Sequence, residues 1–179
     1  MRRSLLIGII AGVALVGLAV GALIFKPWLL FIDVSVDEAL PVVQPSPATS
    51  GEPSATATPE AAGPVQLSVG QLISHEHETS GTVRIIENPD GTRVLTLENL
   101  STSNGPDVHV WLAAAPVVPG TDGWFLADDA AWVDLGLIKG NLGNQVYEIP
   151  ADVDLAAYPS VYLWCAQFAV SFGAAALTT

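Results

Sequence analysis

Ser4 to Phe25, SLLIGIIAGVALVGLAVGALIF, is an uncharged and almost wholly apolar run of 22 residues. A helix that crosses a bilayer needs about 20, so the run predicts a membrane span over residues 4–25. After Pro64 the pattern changes to short stretches in which apolar and polar residues alternate with a period of two, divided by turn residues, as antiparallel strands do. GTVRIIE and TRVLTLENL, joined by Asn88-Pro89-Asp90-Gly91, predict a hairpin, because proline fixes φ and glycine accepts positive φ. DVHVWLAAA, NQVYEIP, SVYLWC and FAVSFGAAAL predict further strands, and the segments between Ala115 and Asp134 and between Pro150 and Pro159 predict longer loops. No long run past residue 64 carries a 3.6-residue period, and Gly and Pro recur throughout. The pattern predicts an all-β domain, an antiparallel β-sandwich or a closed barrel, behind a single N-terminal transmembrane helix.

Between the two patterns lies PVVQPSPATSGEPSATATPEAAGP, Pro41 to Pro64, with six prolines and little else but Ala, Ser, Thr and Gly. It has no apolar period to bury and so cannot offset the entropy of ordering. The chain thus divides into residues 1–26 (cytoplasmic tip and anchor), 27–40 (a juxtamembrane segment), 41–64 (a disordered linker) and 65–179 (the β domain). As an extended stalk the linker would reach up to ~70 Å at ~3.1 Å per residue. Trp28 and Phe31, beside Lys26, suit an interfacial collar.

Charge fixes the orientation. The chain has 18 acidic and 6 basic residues. Arg2 and Arg3 precede the span and only Lys26 closes it, so the positive-inside tendency puts the N-terminus in the cytoplasm and the rest outside, on a cell membrane. A cleaved secretory signal is the alternative, with Ala19-Val20-Gly21 as its site, but the apolar run continues past that point. Beyond Lys26 the 18 acids face only Arg84, Arg93 and Lys139, a surface that repels phosphate backbones and excludes nucleic acid as a partner.

Candidate chemistry centres on Cys165, the only cysteine, which therefore has no partner for a disulfide within the chain. Alternation places Val161, Leu163 and Cys165 on one face of SVYLWC and Tyr162 and Trp164 on the other. A free Cys commonly packs as a small hydrophobe; a redox role requires access and a group that stabilises the thiolate. In NGPDVHVWL, His109 shares a face with Asp107 and Trp111, and an Asp with a His on one face can relay protons. His75 and His77, in SHEHETSG, would project to the same side of an extended segment, a spacing that can hold a metal. No His follows Cys165 and the only Met is Met1, so a blue-copper loop is absent, and one Cys with scattered His matches no zinc site. No metal site is expected. No phosphate loop, GxSxG elbow or paired-carboxylate motif is present, which argues against an ordinary hydrolase or transferase.

Several segments together resemble the DM-thirteen domain, described as an electron-transfer domain and found beside DOMON domains in Skeletor-type proteins. The resemblance covers roughly residues 65 to 177 and rests on Gly70-x-Leu72, on His77 followed by Gly81, and on VLTLENL, NGPDVHVWL, LGLIKGNLGNQVYEIP and SVYLWCAQFAVSFGAAAL. It implies a β-sandwich-like module whose function depends on one cysteine, matched by Cys165, with His77 and Pro106-Asp107 also at motif positions. Membrane-anchored bacterial versions resemble the order of span, linker and domain seen here. The expectation is a redox or electron-transfer domain with Cys165 as its reactive group, His77, His109 and Asp107 as supporting residues, and an extracytoplasmic protein as redox partner. No motif identifies a cofactor. The alternative is a non-catalytic binding module with a structural cysteine, using the loop GWFLADDAAW between Trp124 and Trp132 as its contact surface.

Overall fold

Arg2–Phe25 form one helix, α1, long and apolar enough to cross a membrane by length and composition. The computed structural model describes residues 2–43 and 63–179. Residues 44–62, most of the proline-rich linker, lie outside the described residues. After α1, Lys26 turns into the left-handed region and Pro27–Phe31 make a short 3-10 helix.

The alternating stretches become strands. They are β1 (Ser35–Asp37), β2 (Val65–Gln71), β3 (Ile73–Ser74), β4 (Ser80–Glu87), β5 (Arg93–Ser101), β6 (Val108–Ala113), β7 (Trp132–Leu137), β8 (Leu142–Ile149), β9 (Ser160–Cys165) and β10 (Val170–Ala176). One sheet has the order β1-β8-β5-β4-β2 and the other β3-β10-β9-β6-β7. Two open five-stranded sheets make a sandwich, so the closed barrel is not the fold. The hairpin at Asn88–Gly91 is present: β4 pairs antiparallel with β5, Gly91 takes φ +82°, and Asp90 Oδ1 accepts from the Thr92 amide at 2.9 Å.

Both faces of the second sheet are buried, for different reasons. Val108, Val110, Leu112, Val161, Leu163, Cys165 and Phe172 face Val83, Ile85, Leu95, Leu97 and Tyr147 of the first sheet and form the main core. On the opposite face, Trp111, Tyr162, Trp164 and Ala174 pack under the segment after β6, which contributes Ala115 and Ala127. A bond from Ala114 N to Ala131 O, 2.8 Å, closes the base of this loop. Trp111 stacks on Trp132 at 4.1 Å between centroids and on Trp164 at 5.2 Å.

The segment before the linker does not stand apart from the domain. β1 pairs in parallel with β8, Val36 opposite Gly143, and it is the one parallel pairing among the described strands. Asn141 and Lys139 hold it: Val34 N donates to Asn141 Oδ1 at 2.7 Å, and Lys139 Nζ lies 2.7 and 2.8 Å from the two Glu38 oxygens. The Lys139 ammonium and the Val146 N–H keep the Glu38 carboxyl below its ordinary range. The juxtamembrane segment therefore contributes a strand to the first sheet, while most of the expected linker lies outside the described residues. β1 and β2, which precede and follow the linker in sequence, are the two edge strands of the first sheet.

Candidate functional site

Cys165 ends β9, where the chain turns through Ala166–Ala169 into β10. Val108 of β6 and Val170 of β10 flank it in register. The turn is tight: Phe168 N donates to Cys165 O at 3.3 Å, Ala166 N donates to Asp107 O at 2.9 Å, and Ala169 takes φ +50°. Cys165 is fully buried on the core face. Burial pushes its thiol above the ordinary value, opposed in part by the backbone N–H groups of Phe168, Gln167 and Asp107, while the Asp107 carboxylate adds to the rise. At neutral pH the group is therefore a protonated thiol.

The histidines separate into three places. His77 lies over Phe172, 3.8 Å between ring centroids, and its Nε2 is 2.6 Å from Glu76 Oε2. Burial lowers its pKa, with Glu76 acting against the shift. His75 is buried, with Nδ1 2.8 Å from Ser171 Oγ and its ring tilted against Tyr162. Burial lowers its pKa too, partly offset by the Val118 carbonyl. The chain bends over residues 75–77 instead of extending, so the two rings enter different environments and form no metal pair. His109 lies between two carboxylates, Nε2 at 3.1 Å from Asp107 Oδ1 and Nδ1 at 2.8 Å from Asp134 Oδ2 of β7.

The structure therefore brings Asp107 to His109 and brings His77 to Phe172, a core neighbour of Cys165. It does not bring His109 to the face of Cys165: His109 is opposite Trp164 in register, and Trp164 points to the other side of β9 from Cys165. Asp134 is a partner of His109 that the sequence reading missed, since it falls on β7, a strand assigned in part to a loop. Among the described residues, no three His, Cys, Asp or Glu side chains gather as a metal site.

A pocket of about 440 Å³ opens beside this end of the sandwich, lined by Phe25, His77, Trp124, Phe125, Phe168 and Phe172 among others. Val170, the strand partner of Cys165, also forms part of its wall. The sequence marked the loop holding Trp124 and Phe125 as an exposed contact surface. Phe125 is exposed, but Trp124 packs against the main core and its carbonyl accepts from Ser171 N at 2.9 Å. Trp124 is a structural wedge as well as a wall.

Because His75 and His77 have pKa values below those of the unfolded chain, the unfolded state takes up more protons as the pH falls below about 6.5. Their contribution to stability is complete above that pH and is lost on acidification towards the folded values. Denaturant midpoints measured from pH 7.5 to 5 should fall through this window, and the double variant His75→Gln, His77→Gln should flatten the decline.

Fold and site together define a β-sandwich domain with a sequestered single thiol beside an aromatic pocket. A family model described as electron transfer DM13 matches residues 71–177, more than half of the chain, and the chain belongs to that family. No curated protein and no solved structure matches it.

Proposed function

We propose that the chain is a membrane-anchored, extracytoplasmic redox domain in which Cys165 is the group that exchanges electrons. The observation that carries this reading is the position of the chain's only thiol: sealed in the core, yet at the last residue of a strand, directly before a four-residue turn. The electron-transfer description of the family supports it.

A lone thiol cannot form a disulfide within the chain, so two-electron chemistry needs a disulfide from a partner protein. The Cys165 thiolate attacks one sulfur of that disulfide, and a new S–S bond joins Cys165 to that sulfur as the partner's own S–S bond breaks. The second partner sulfur leaves as a thiol that takes up the proton Cys165 gave up. The closed turn holds Cys165 as an unreactive thiol, since only a thiolate attacks. Opening of residues 166–169 exposes the sulfur and returns its pKa towards the ordinary value. The strain of a non-glycine residue at positive φ, Ala169, is of order 1–3 kcal/mol and favours that opening.

Intact-mass kinetics on the full-length protein with a small aromatic disulfide test this. The expected result is one adduct at Cys165, forming at a rate that stops rising with reagent concentration because local opening has become limiting. If Cys165 reacts only when the whole domain unfolds, the redox reading fails, and the chain is a binding module with a structural cysteine.

A further inference from the structure

The tip of the β9–β10 hairpin is fastened to the end of α1. Gln167 Nε2 donates to the Ile24 carbonyl at 2.9 Å, satisfying one of the acceptors that a helix end leaves free. Next to it the rings of Phe25 and Phe168 stack in parallel, 5.8 Å between centroids and 6° between planes. The pocket of about 440 Å³ lies behind this junction, so one wall is the end of an apolar helix and the other is the domain. The volume falls within the ~300–1,000 Å³ typical of small-molecule sites.

We propose that this pocket binds the ring of a lipid-soluble quinone. The route rests on the membrane-anchored reading above: a ligand dissolved in the bilayer reaches a site walled by Phe25 and Pro27 without crossing water. The chemistry of the walls selects the ring. Phe25, Phe168, Phe125 and Phe172 offer flat aromatic faces, which favour a planar conjugated ring through offset and edge-on contacts. An acyl chain would be served by apolar walls alone, whereas this pocket also carries Lys26 and Asn104, N–H donors suited to carbonyl oxygens, beside the paired His77 and Glu76. Burial lowers the His77 pKa, and its Nε2 is paired with Glu76 Oε2 at 2.6 Å. Cys165 is paired with Val170 from the neighbouring strand and lies outside the lining, so ring binding does not require the thiol.

The test uses the full-length protein in phosphatidylcholine nanodiscs, titrated with decylubiquinone while tryptophan fluorescence is followed, Trp124 being part of the wall. The expected result is saturable quenching. It should weaken at least tenfold in Phe125→Ala, Phe168→Ala, whose side chains are about half exposed and lie outside the core clusters. It should persist unchanged in Cys165→Ala. Quenching that does not saturate, or that is the same in the double variant, overturns the proposal. So does equal displacement of the quinone by decanol, which has the chain but no ring. The two readings fail separately: saturable binding to a chain whose Cys165 never reacts leaves the pocket and removes the thiol, and a reactive Cys165 without binding does the reverse.

Discussion

Trp111→Ala is expected to destabilise the domain by about 3–5 kcal/mol, the range for emptying a buried tryptophan site. Trp111 is 5% exposed and is the central ring of a three-tryptophan stack, with Trp132 on one side and Trp164 on the other. Removing it deprives both neighbours of their contact and takes the floor from under Ala115 and Ala127, so the loop over the outer face loses what it packs on. The indole nitrogen gives a control. Trp111 Nε1 is buried without a hydrogen-bond partner, a state that costs about 1–3 kcal/mol. Trp111→Phe keeps a stacked ring and removes that unpaired donor, so its net cost should stay below about 1.5 kcal/mol. Denaturant unfolding of the three proteins separates the cases. An alanine variant as stable as the phenylalanine variant would mean that the outer layer contributes little to the fold.

The same face shows what the sequence could tell. SVYLWC has apolar residues on both of its alternating sides, a pattern that suits a strand covered twice, and all six residues are buried. What alternation cannot supply is the cover. On one side it is the first sheet, on the other a loop whose alanines carry no recognisable period. For the same reason β7 was only half legible: Trp132–Leu137 is an edge strand with a glycine in it, and edge strands lose the clean contrast between faces. Among the four candidate residues, the pairing of Asp107 with His109 followed from their spacing. The division of the four between two faces was not legible, because it depends on the register of β6 against β9, which sets His109 opposite Trp164 and Val108 opposite Cys165. The pocket was less legible still. Its walls come from the end of α1, the bend at His77, the loop at Trp124 and the hairpin at Phe168, segments brought together only by the fold.

Gly140→Val should detach β1 from the domain while leaving the sandwich folded. A Cβ on Gly140 would run into the Val34 carbonyl and the Val36 side chain and meets nothing nearer in the rest of the domain. The docked segment is finely balanced. Ordering each residue costs about 1–2 kcal/mol, while each hydrogen bond returns a net of about 0.5–1.5 kcal/mol. The Leu142 N to Val34 O bond, the Asn141 clasp and the Lys139–Glu38 pair supply what offsets the ordering cost. An added cost of about 2 kcal/mol should therefore shift the docked equilibrium about 30-fold. Limited proteolysis of the full-length protein measures this directly, as a rise of that order in cleavage within residues 32–43, with the midpoint for unfolding of the sandwich lowered by only a few degrees. Protection that survives the substitution would mean that β1 is held by something other than its close approach to Gly140. The consequence for function is positional. Docked, β1 ties the first sheet to the chain just after α1, while Gln167 and Phe168 tie the second sheet to the end of α1 itself. Two attachments, one from each sheet, fix the Cys165 end of the sandwich towards the helix. Released from β1, the domain would keep its thiol and its core but hold the pocket through the Gln167 and Phe168 contacts with the end of α1. Quinone binding should then weaken in Gly140→Val without any change to a pocket residue, which separates the orientation of the site from its composition.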